Sequence, residues 1–503
     1  MEPNRQTTDE HGLRSLVVRG VGWKIASQVS VQGIAFGTTL VLVRLLTPTD
    51  FGLAAMALVF VSLAFLIADL GLGSALVQRP TLTEDDRSTA FWTNVALGLV
   101  LTSLGILLAG PLASLYQHER VKPLFAVLSL TFLFTALGST QGSLLVRDMR
   151  FRSLELRTIV STAAGAATAI ILAVLGFGVW AIIAQSLANS GVSTLLLWRS
   201  SSWRPRFVYS VGSLRGLIGF SSLVFGSSLL YYLSANADNF LVGRFVGASA
   251  LGAYAIAYNV MLVPLTRLAA PIQQVFFPAL SRIREPAQIG VVWLRISRLT
   301  GAITVPAFVG MIVVAPDFVP VVLGEKWMDA IPLLQILAWA GVVQSVCWQT
   351  SNVLLALGRG STLFRYAAIS SFLTVAAFAG SVRWGIVAVA SAFAIVTSAL
   401  SPYYISLAGR IVGISVLQFV RALSGVALAA SGMALALLGL RPVFLDHLST
   451  GPRLATLVVV GVAVYVPLCV WRVPEIADEL RALRGRRSQP TATGEGEQTT
   501  ATT

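Results

Sequence analysis

The sequence predicts an all-α polytopic membrane protein that contains one helical segment twice. Apolar stretches long enough to cross about 30 Å of hydrocarbon recur along almost all of the 503 residues. Only 12% of the residues are charged, about half the share in an ordinary soluble domain. Two pairs of segments also resemble each other at nearly the same spacing along the chain. Together these observations predict about fourteen transmembrane helices, most of them in two related six-helix sets.

Each apolar stretch ends where charged residues or a turn sequence begin. The predicted spans are 23–46, 53–77, 89–115, 123–146, 156–176, 178–198, 214–242, 251–280, 294–316, 330–356, 363–382, 384–408, 417–440 and 454–473. The polar arm before the first span is too long and too mixed for the charged start of a cleavable signal. We therefore expect the first span to be retained in the membrane.

The first pair of similar segments, 41–53 and 241–253, lies 200 residues apart. In both, an apolar helix ends at an arginine, and a glycine eight residues later begins the next apolar helix. The identical pairs are Arg44 and Arg244, Gly52 and Gly252, Ala55 and Ala255, and Ala57 and Ala257. A duplicated membrane protein is most often a transporter, because two similar halves that rock about a shared interface give alternating access.

The second pair, 123–150 and 332–359, lies 209 residues apart. Six predicted spans, an even number, separate the starts of the two copies, so both copies have the same orientation in the membrane. They are therefore expected to be parallel repeats about an axis along the membrane normal.

The copies and the polar stretches between them predict the domain organisation. The expected parts are an N-terminal arm 1–22, an N-lobe 23–198, a linker 199–213, a C-lobe 214–408, two further spans in 409–473 and a basic, then disordered tail 474–503. Most of the 36 lysines and arginines fall on the side of the termini. Both termini are therefore predicted to be cytoplasmic.

Several classes of function are disfavoured by composition. The net charge of +14 is dispersed among apolar spans, so no nucleic-acid-binding face is expected. Cys347 and Cys469 fall inside predicted spans and the three histidines lie in separate loops, so no metal site and no disulfide are expected. The sequence has no glycine-rich nucleotide-binding motif, which predicts no cofactor and no direct coupling to ATP.

Five short blocks resemble the polysaccharide flippases of the MOP superfamily, and among these the colanic-acid-exporter type. The blocks are Gly-Leu-Gly-Ser-Ala-Leu-Val-Gln-Arg at 71–79, Ser-Thr-Ala-Phe-Trp-Thr-Asn at 88–94, Ala-Asp-Asn-Phe-Leu-Val-Gly-Arg-Phe at 237–245, Phe-Pro-Ala-Leu-Ser-Arg at 277–282 and Leu-Gly-Glu-Lys-Trp at 323–327. The resemblance covers roughly residues 15 to 475, and the combination of blocks is more specific than any one of them.

The resemblance implies two six-helix lobes in a V around a central cavity. It also implies export of a polyprenyl-diphosphate-linked oligosaccharide from the inner to the outer leaflet of a bacterial inner membrane, beside a polysaccharide polymerase and chain-length machinery. Two alternatives stay open, an organic-cation exporter of the same superfamily and a membrane polymerase or glycosyltransferase. The cation exporter would favour acidic residues in its cavity, and the enzyme would need catalytic groups on a sizeable outward loop, which the sequence does not offer.

Two polar stripes are candidates for the wall of the transport cavity. Gln28 and Gln32 lie on one face of the first span, and Tyr231 and Asp238 lie on one face of the seventh. Such groups suit sugar hydroxyls. The alternative is helix packing, and the sequence Gly33-x-x-x-Gly37 in the first span predicts a close helix contact there.

Charged residues inside spans are costly and are taken as functional hypotheses. Arg267 in the eighth span is expected to attract the diphosphate, and Asp69 in the second span to serve as a gate partner or protonatable coupling site. The alternatives are that Arg267 reaches the headgroups and that Asp69 caps a helix break.

Three further residues are candidates for contacts with the substrate. Arg44 and Arg244 end equivalent helices on the outer side, where they would bind phosphate late in transport or anchor the helices at the interface. Asn94 is a polar group at hydrocarbon depth in the third span, where hydrogen bonding between helices is the alternative.

Overall fold

The computed structural model describes residues 4–68, 72–218, 232, 236–280, 282–442 and 447–474, and every regular element within them is helical. The helices are α1 (Asn4–Leu45), α2 (Pro48–Ala68), α3 (Leu72–Gln78), α4 (Glu84–Tyr116), α5 (Val121–Leu128), α6 (Leu130–Arg147), α7 (Phe151–Val174), α8 (Trp180–Ser200), α9 (Val211–Ile218), α10 (Ala237–Phe245), α11 (Ala248–Pro264), α12 (Ala270–Leu280), α13 (Pro286–Phe318), α14 (Ala330–Cys347), α15 (Gln349–Ala356), α16 (Gly360–Ser381), α17 (Ile386–Val412), α18 (Val416–Leu440) and α19 (Thr450–Arg472). The predicted all-α fold class is confirmed.

Within the described ranges, twelve helices are long and apolar enough to cross a membrane, and each matches a predicted span. Two predicted spans are not among them. Residues 69–71 of the stretch 53–77, between α2 and α3, lie outside the described residues, as does most of the stretch 214–242. A total of about fourteen spans therefore stays a prediction.

Packing divides the chain into two compact units. The first consists of Met1–Val260, Phe318–Leu337 and Phe364–Val396, and the second of Met261–Asp317, Ala338–Leu363 and Thr397–Thr503.

In the second unit the last two helices pack on α13. Tyr465 donates a hydrogen bond to the carbonyl of Ala302 at 2.7 Å, and the fully buried Asp317 pairs with Arg453 at 2.6 Å and Arg441 at 3.2 Å.

The duplication extends to the local backbone. Met149, in the turn after α6, has a φ of 52°, and 209 residues later Gly358 has a φ of 70°. In both turns the next amide donates to the carbonyl five residues earlier, at 2.9 and 2.8 Å. The turns after α7 and α16 match as well, since Gly176 and Gly385 have φ values of 81° and 91°. Left-handed residues of this kind end helices, so the two copies stop equivalent helices in the same way.

The two copies cross closely within the first unit, where α2 and α11 begin. A Cβ atom on Gly52 would overlap the carbonyl group of Ala248, and a Cβ atom on Gly252 would overlap the carbonyl group of Pro48. Because these residues form two pairs 200 residues apart, the same contact occurs twice in opposite directions. Only glycine allows backbones to approach this closely.

Trp327, in the 3₁₀ turn Glu325–Trp327, is fully buried against the helix ends beside this crossing. Its indole nitrogen donates to the carbonyl of Val43 at 3.0 Å, and its ring meets the edge of Phe51 at 5.3 Å between centroids. Arg44 donates to the carbonyl of Val322 at 3.1 Å. The segment after α13 thus holds the end of α1 and the start of α2 together.

We expect the substitution Gly52→Ala to destabilise the protein, because the added methyl group meets backbone that cannot move aside alone. Overpacking of this kind costs about 1–3 kcal/mol. Thermal unfolding of the purified protein in detergent measures the effect. Gly110→Ala in α4 is the matched control, since nothing lies within 4 Å of its added Cβ. Equal unfolding midpoints for the two variants would contradict the tight crossing.

Candidate functional site

A cavity of about 690 Å³ lies in the first unit, bounded by α3, α6, α7 and α8. Small-molecule sites usually have volumes of roughly 300–1,000 Å³. The polar residues in its wall are Ser74, Gln78, Thr135, Ser139, Ser143, Arg157, Thr158, Ser161, Thr162, Asn189, Ser190, Ser193 and Thr194. The wall is therefore rich in hydroxyl groups, although the surrounding helices are apolar overall.

Regular helical spacing places these lining residues on the helix faces that border the cavity. On α6 the lining residues are Thr135, Gly138, Ser139, Gly142, Ser143 and Val146, which recur at steps of three, one, three, one and three and so share one face. On α7 they are Leu154, Arg157, Thr158, Ser161 and Thr162, with the same steps. The small side chains on α6 leave room for the cavity.

Close contacts fix α8 against α6 and α7 around the cavity. A Cβ on Gly138 would lie 2.9 Å from a methyl group of Leu197, and a Cβ on Gly165 would lie 2.9 Å from the carbonyl oxygen of Gln185. Thr194 donates to the carbonyl of Phe134 at 2.6 Å. The cavity is thus bounded by helices that pack directly on each other beside it.

Many polar side chains in the wall have no hydrogen-bond partner among the residues that the structure describes. Gln78, Thr135, Ser139, Thr162, Asn189, Ser190 and Ser193 make no side-chain hydrogen bond with the part of the chain that the structure describes. Polar groups at hydrocarbon depth need a partner or water. These side chains are therefore available to water or to a polar ligand.

Arg157 carries the only charge among the described residues of the cavity wall. It donates one hydrogen bond, to the hydroxyl of Thr158 at 3.2 Å, while its Nε is buried without a partner. The nearby Glu155 pairs instead with Lys24 at 3.3 Å. A guanidinium fork matches phosphate oxygens in geometry and charge, so Arg157 is the candidate contact for an anionic group beside this hydroxyl-rich wall.

Arg147, at the end of α6, has a structural role instead. Its guanidinium donates to the carbonyls of Leu76 at 2.9 Å, Arg79 at 2.6 Å and Pro80 at 3.0 Å. These are the carbonyls at and just beyond the end of α3, which have no partner within that helix. Arg147 therefore holds α3 in place at one side of the cavity.

Of the residues predicted from the first three spans, those that the structure describes do not line the cavity. Gln28 is exposed and Gln32 half-buried on α1, and the buried Asn94 donates to the hydroxyl of Thr140 at 3.4 Å, which is a contact between helices. Asp69 lies outside the described residues. No described residue lies within 4 Å of a Cβ built on Gly33 or Gly37, so the close packing predicted there stays a prediction.

Asp238 is buried and fully engaged. It accepts hydrogen bonds from the hydroxyl of Tyr254 at 2.9 Å and from the amide of Asn239 at 2.7 Å. Tyr231, predicted beside it, lies outside the described residues. The Asp238 contact ties α10 to α11 within the first unit.

The predicted arginines have three different surroundings. Arg44 binds backbone carbonyls of the segment after α13, and Arg244 lies over the ring of Phe245 at 5.3 Å. Arg267 is exposed in the π-helical turn Leu265–Ala269 of the second unit. None of these arginines lines the cavity.

The second unit contains a polar row that is satisfied internally. Gln273 donates to Asn352 at 3.1 Å, Asn352 to Gln349 at 3.3 Å, and Gln349 to Thr300 at 3.5 Å. Such contacts between helices stabilise membrane bundles. The cavity wall of the first unit differs from this row, because it combines an arginine with several hydroxyl and amide groups that make no side-chain hydrogen bond with the described residues, which makes it the better candidate for ligand binding.

A family model described as "Polysaccharide biosynthesis protein" matches residues 41–332. The "Lipopolysaccharide biosynthesis protein WzxC" of Escherichia coli K12 is 29% identical over 368 residues, which cover 73% of this chain and 75% of that protein. The "Succinoglycan biosynthesis transport protein ExoT" of Rhizobium meliloti is 30% identical over 364 residues, with coverage of 72% and 74%.

Two solved structures share the fold. The inward closed "Lipid II flippase MurJ" has a TM-score of 0.70 at 15% identity and covers 91% of this chain and 100% of its own. An inward-facing multidrug resistance transporter of the MATE family has a TM-score of 0.54 at 14% identity and covers 78% of this chain and 94% of its own.

Removing the charge of Arg147 and removing the charge of Arg157 should change the stability of the protein differently. We expect Arg147→Met to lower the free energy of unfolding by about 1.5–3 kcal/mol, because partly buried carbonyls at the end of α3 lose a charged donor. Arg157→Met should leave stability unchanged or raise it, since that charge has no ion-pair partner among the described residues. Thermal unfolding in detergent compares them. A larger loss for Arg157→Met would mean that Arg157 is structural.

Proposed function

The chain belongs to the polysaccharide biosynthesis protein family, and on this basis we propose that it carries a polyprenyl-diphosphate-linked oligosaccharide across a bacterial inner membrane. The names of its relatives support a role in polysaccharide biosynthesis and transport, and its fold is similar to that of a lipid flippase. The direction of transport is from the cytoplasmic to the outer leaflet, where polysaccharides are assembled.

The hydroxyl-lined cavity with Arg157 is the observation that carries this proposal. An oligosaccharide presents many hydroxyl groups, which pair with the Ser, Thr and Asn side chains of the wall. The diphosphate next to it is anionic and pairs with Arg157. The lipid tail stays in the bilayer, so only the polar head needs the cavity.

The two ends of the first unit differ in a way that suits alternating access. Lining residues Gln78 and Val146, near the loop between α6 and α7, are exposed. At the other end of α7, Asp50 accepts a hydrogen bond from the amide of Val179 at 3.1 Å, next to the glycine crossing of α2 and α11. The excess of Lys and Arg on the side of the termini supports placing the exposed end in the cytoplasm. The crossing then seals the outer end until the cargo is released.

A cationic drug is a poorer cargo for this cavity. The only charge in the described part of its wall is positive, and like charges repel strongly where water is scarce. The charge therefore favours an anionic cargo over an organic cation.

Export should depend on the charge of Arg157. In a strain that lacks the chromosomal gene, Arg157→Gln is expected to reduce export about 10- to 100-fold, the loss of one charge-assisted contact. Arg157→Lys should retain part of the activity. The control is Arg150→Gln, whose exposed guanidinium binds the carbonyl of Ser200 outside the cavity. Normal export by Arg157→Gln at normal abundance would contradict the proposed site.

The lipid pool of the deletion strain tests the proposed cargo separately. Complete lipid-linked repeat units should accumulate on the cytoplasmic face of the inner membrane. Truncated units, or complete units that reach the outer face without being polymerised, would instead indicate an enzyme.

Arg267 and Asp69 remain proposed cargo-handling residues. We expect Arg267→Ala and Asp69→Asn to reduce export, because Arg267 is an exposed cation in a span and π-helical turns are frequent at functional sites. Export is measured at matched abundance. Normal export by both variants would contradict this role.

A further inference from the structure

The segment between α8 and α9 is docked on α4 and does not hang free as a flexible linker. The indole of Trp203 donates to Glu84 at 2.9 Å, and the amide of Arg206 donates to the hydroxyl of Ser88 at 3.1 Å. The indole of Trp92 donates to the carbonyl of Arg206 at 2.8 Å. These contacts fix the backbone of the segment on the first turns of α4.

The docked segment turns basic and aromatic side chains outward. We call the exposed residues Arg204, Arg206, Phe207, Tyr209 and Arg215 the basic-aromatic patch. The side chain of Phe207 is 92% exposed, although its ring stacks on Trp92 at 5.0 Å between centroids. An exposed aromatic group of this size on a fixed backbone suits the boundary between lipid headgroups and hydrocarbon.

The charges of the patch have no acidic partner in the described part of the chain. Arg206 and Arg215 form no ion pair there, and Arg204 donates to nearby backbone carbonyls and lies over the ring of Trp198. Glu84, the acid that touches the segment, already pairs with Arg87 at 3.0 Å. The patch therefore presents an uncompensated positive surface.

The patch lies where membrane-spanning helices end. The docked segment follows directly on α8 and contacts the first turns of α4, and both helices are long and apolar enough to span the bilayer. Aromatic side chains at such ends suit the boundary between headgroups and hydrocarbon, and arginines suit anionic headgroups.

We propose that the basic-aromatic patch binds anionic phospholipids. Phe207 and Tyr209 enter the boundary region, while Arg204, Arg206 and Arg215 contact the phosphates. Because the segment joins the first copy of the repeat to the second, this binding anchors the junction of the two copies to the membrane surface. The site is separate from the cavity, so it does not depend on the proposed cargo.

The substitution Phe207→Cys places a fluorescent label in the patch. Cys347 and Cys469 are both buried, so labelling is selective. The labelled protein is reconstituted in phosphatidylcholine vesicles that contain a trace of one nitroxide-labelled lipid, either phosphatidylglycerol or phosphatidylcholine. In both probe lipids the nitroxide lies near the headgroup. We expect the phosphatidylglycerol probe to quench the label more strongly, with an apparent preference of about fivefold for each arginine engaged.

The double substitution Arg204→Gln and Arg206→Gln should remove most of this preference. It leaves the docking contacts of Trp203, Ser88 and Trp92 in place. The control is Arg383→Gln, a remote exposed arginine that lies over Trp384 at 4.3 Å, and it should change nothing. The proposal is overturned if both lipid probes quench equally in the wild-type background, if only aqueous iodide quenches the label, or if the label is shielded only when a cytosolic protein extract is added.

Discussion

A polar group inside hydrocarbon must find a hydrogen-bond partner or water, and both units are organised around this requirement. In most places the partner is another helix. Asp238 receives the hydroxyl of Tyr254, and Gln349 donates to Thr300. The cavity of the first unit differs, because several of its hydroxyl and amide groups, such as those of Thr135, Ser139 and Asn189, make no side-chain hydrogen bond with the described part of the chain. A wall of this kind is stable only when water or a polar cargo completes its hydrogen bonds.

At the other end of the first unit, the glycine crossing of α2 and α11 is closely packed. There the backbones of the two copies touch directly, and Trp327 and Arg44 bind the carbonyls beside the contact. A dry, closely packed end and a polar, exposed end in one unit are what a carrier requires if it opens to one side at a time. The duplicated sequence explains why the crossing is built from equivalent residues of both copies.

Much of the fold could be predicted from the sequence. Hydropathy alone located the apolar helices, because crossing the bilayer requires a long apolar stretch. The repeats at 200 and 209 residues also correspond to matching turns in the structure. Some helix boundaries differ from the predicted ones because turns and caps set them. At the start of α4, for example, Thr83 and Asp86 form reciprocal capping hydrogen bonds.

The site was harder to predict, because it is made by faces of four helices, α3, α6, α7 and α8, that converge only in the folded protein. Each face contributes small residues, and Ser139 or Ser190 in isolation resembles ordinary helix packing. Arg157 stands near the predicted start of a span, where an arginine usually reaches the headgroups. The repeated three-and-one steps on α6 and α7 were nevertheless present in the sequence.

The central claim is that the cavity is filled with water and receives an anionic sugar head. Its most direct test is the reaction of a Ser139→Cys variant with a small anionic thiol reagent in inside-out membrane vesicles. The native cysteines are buried, so they contribute little background. The claim predicts rapid labelling that slows when lipid-linked oligosaccharide accumulates in the same membranes. A thiol that does not react, or one whose reaction is unaffected by the lipid-linked oligosaccharide, would contradict it.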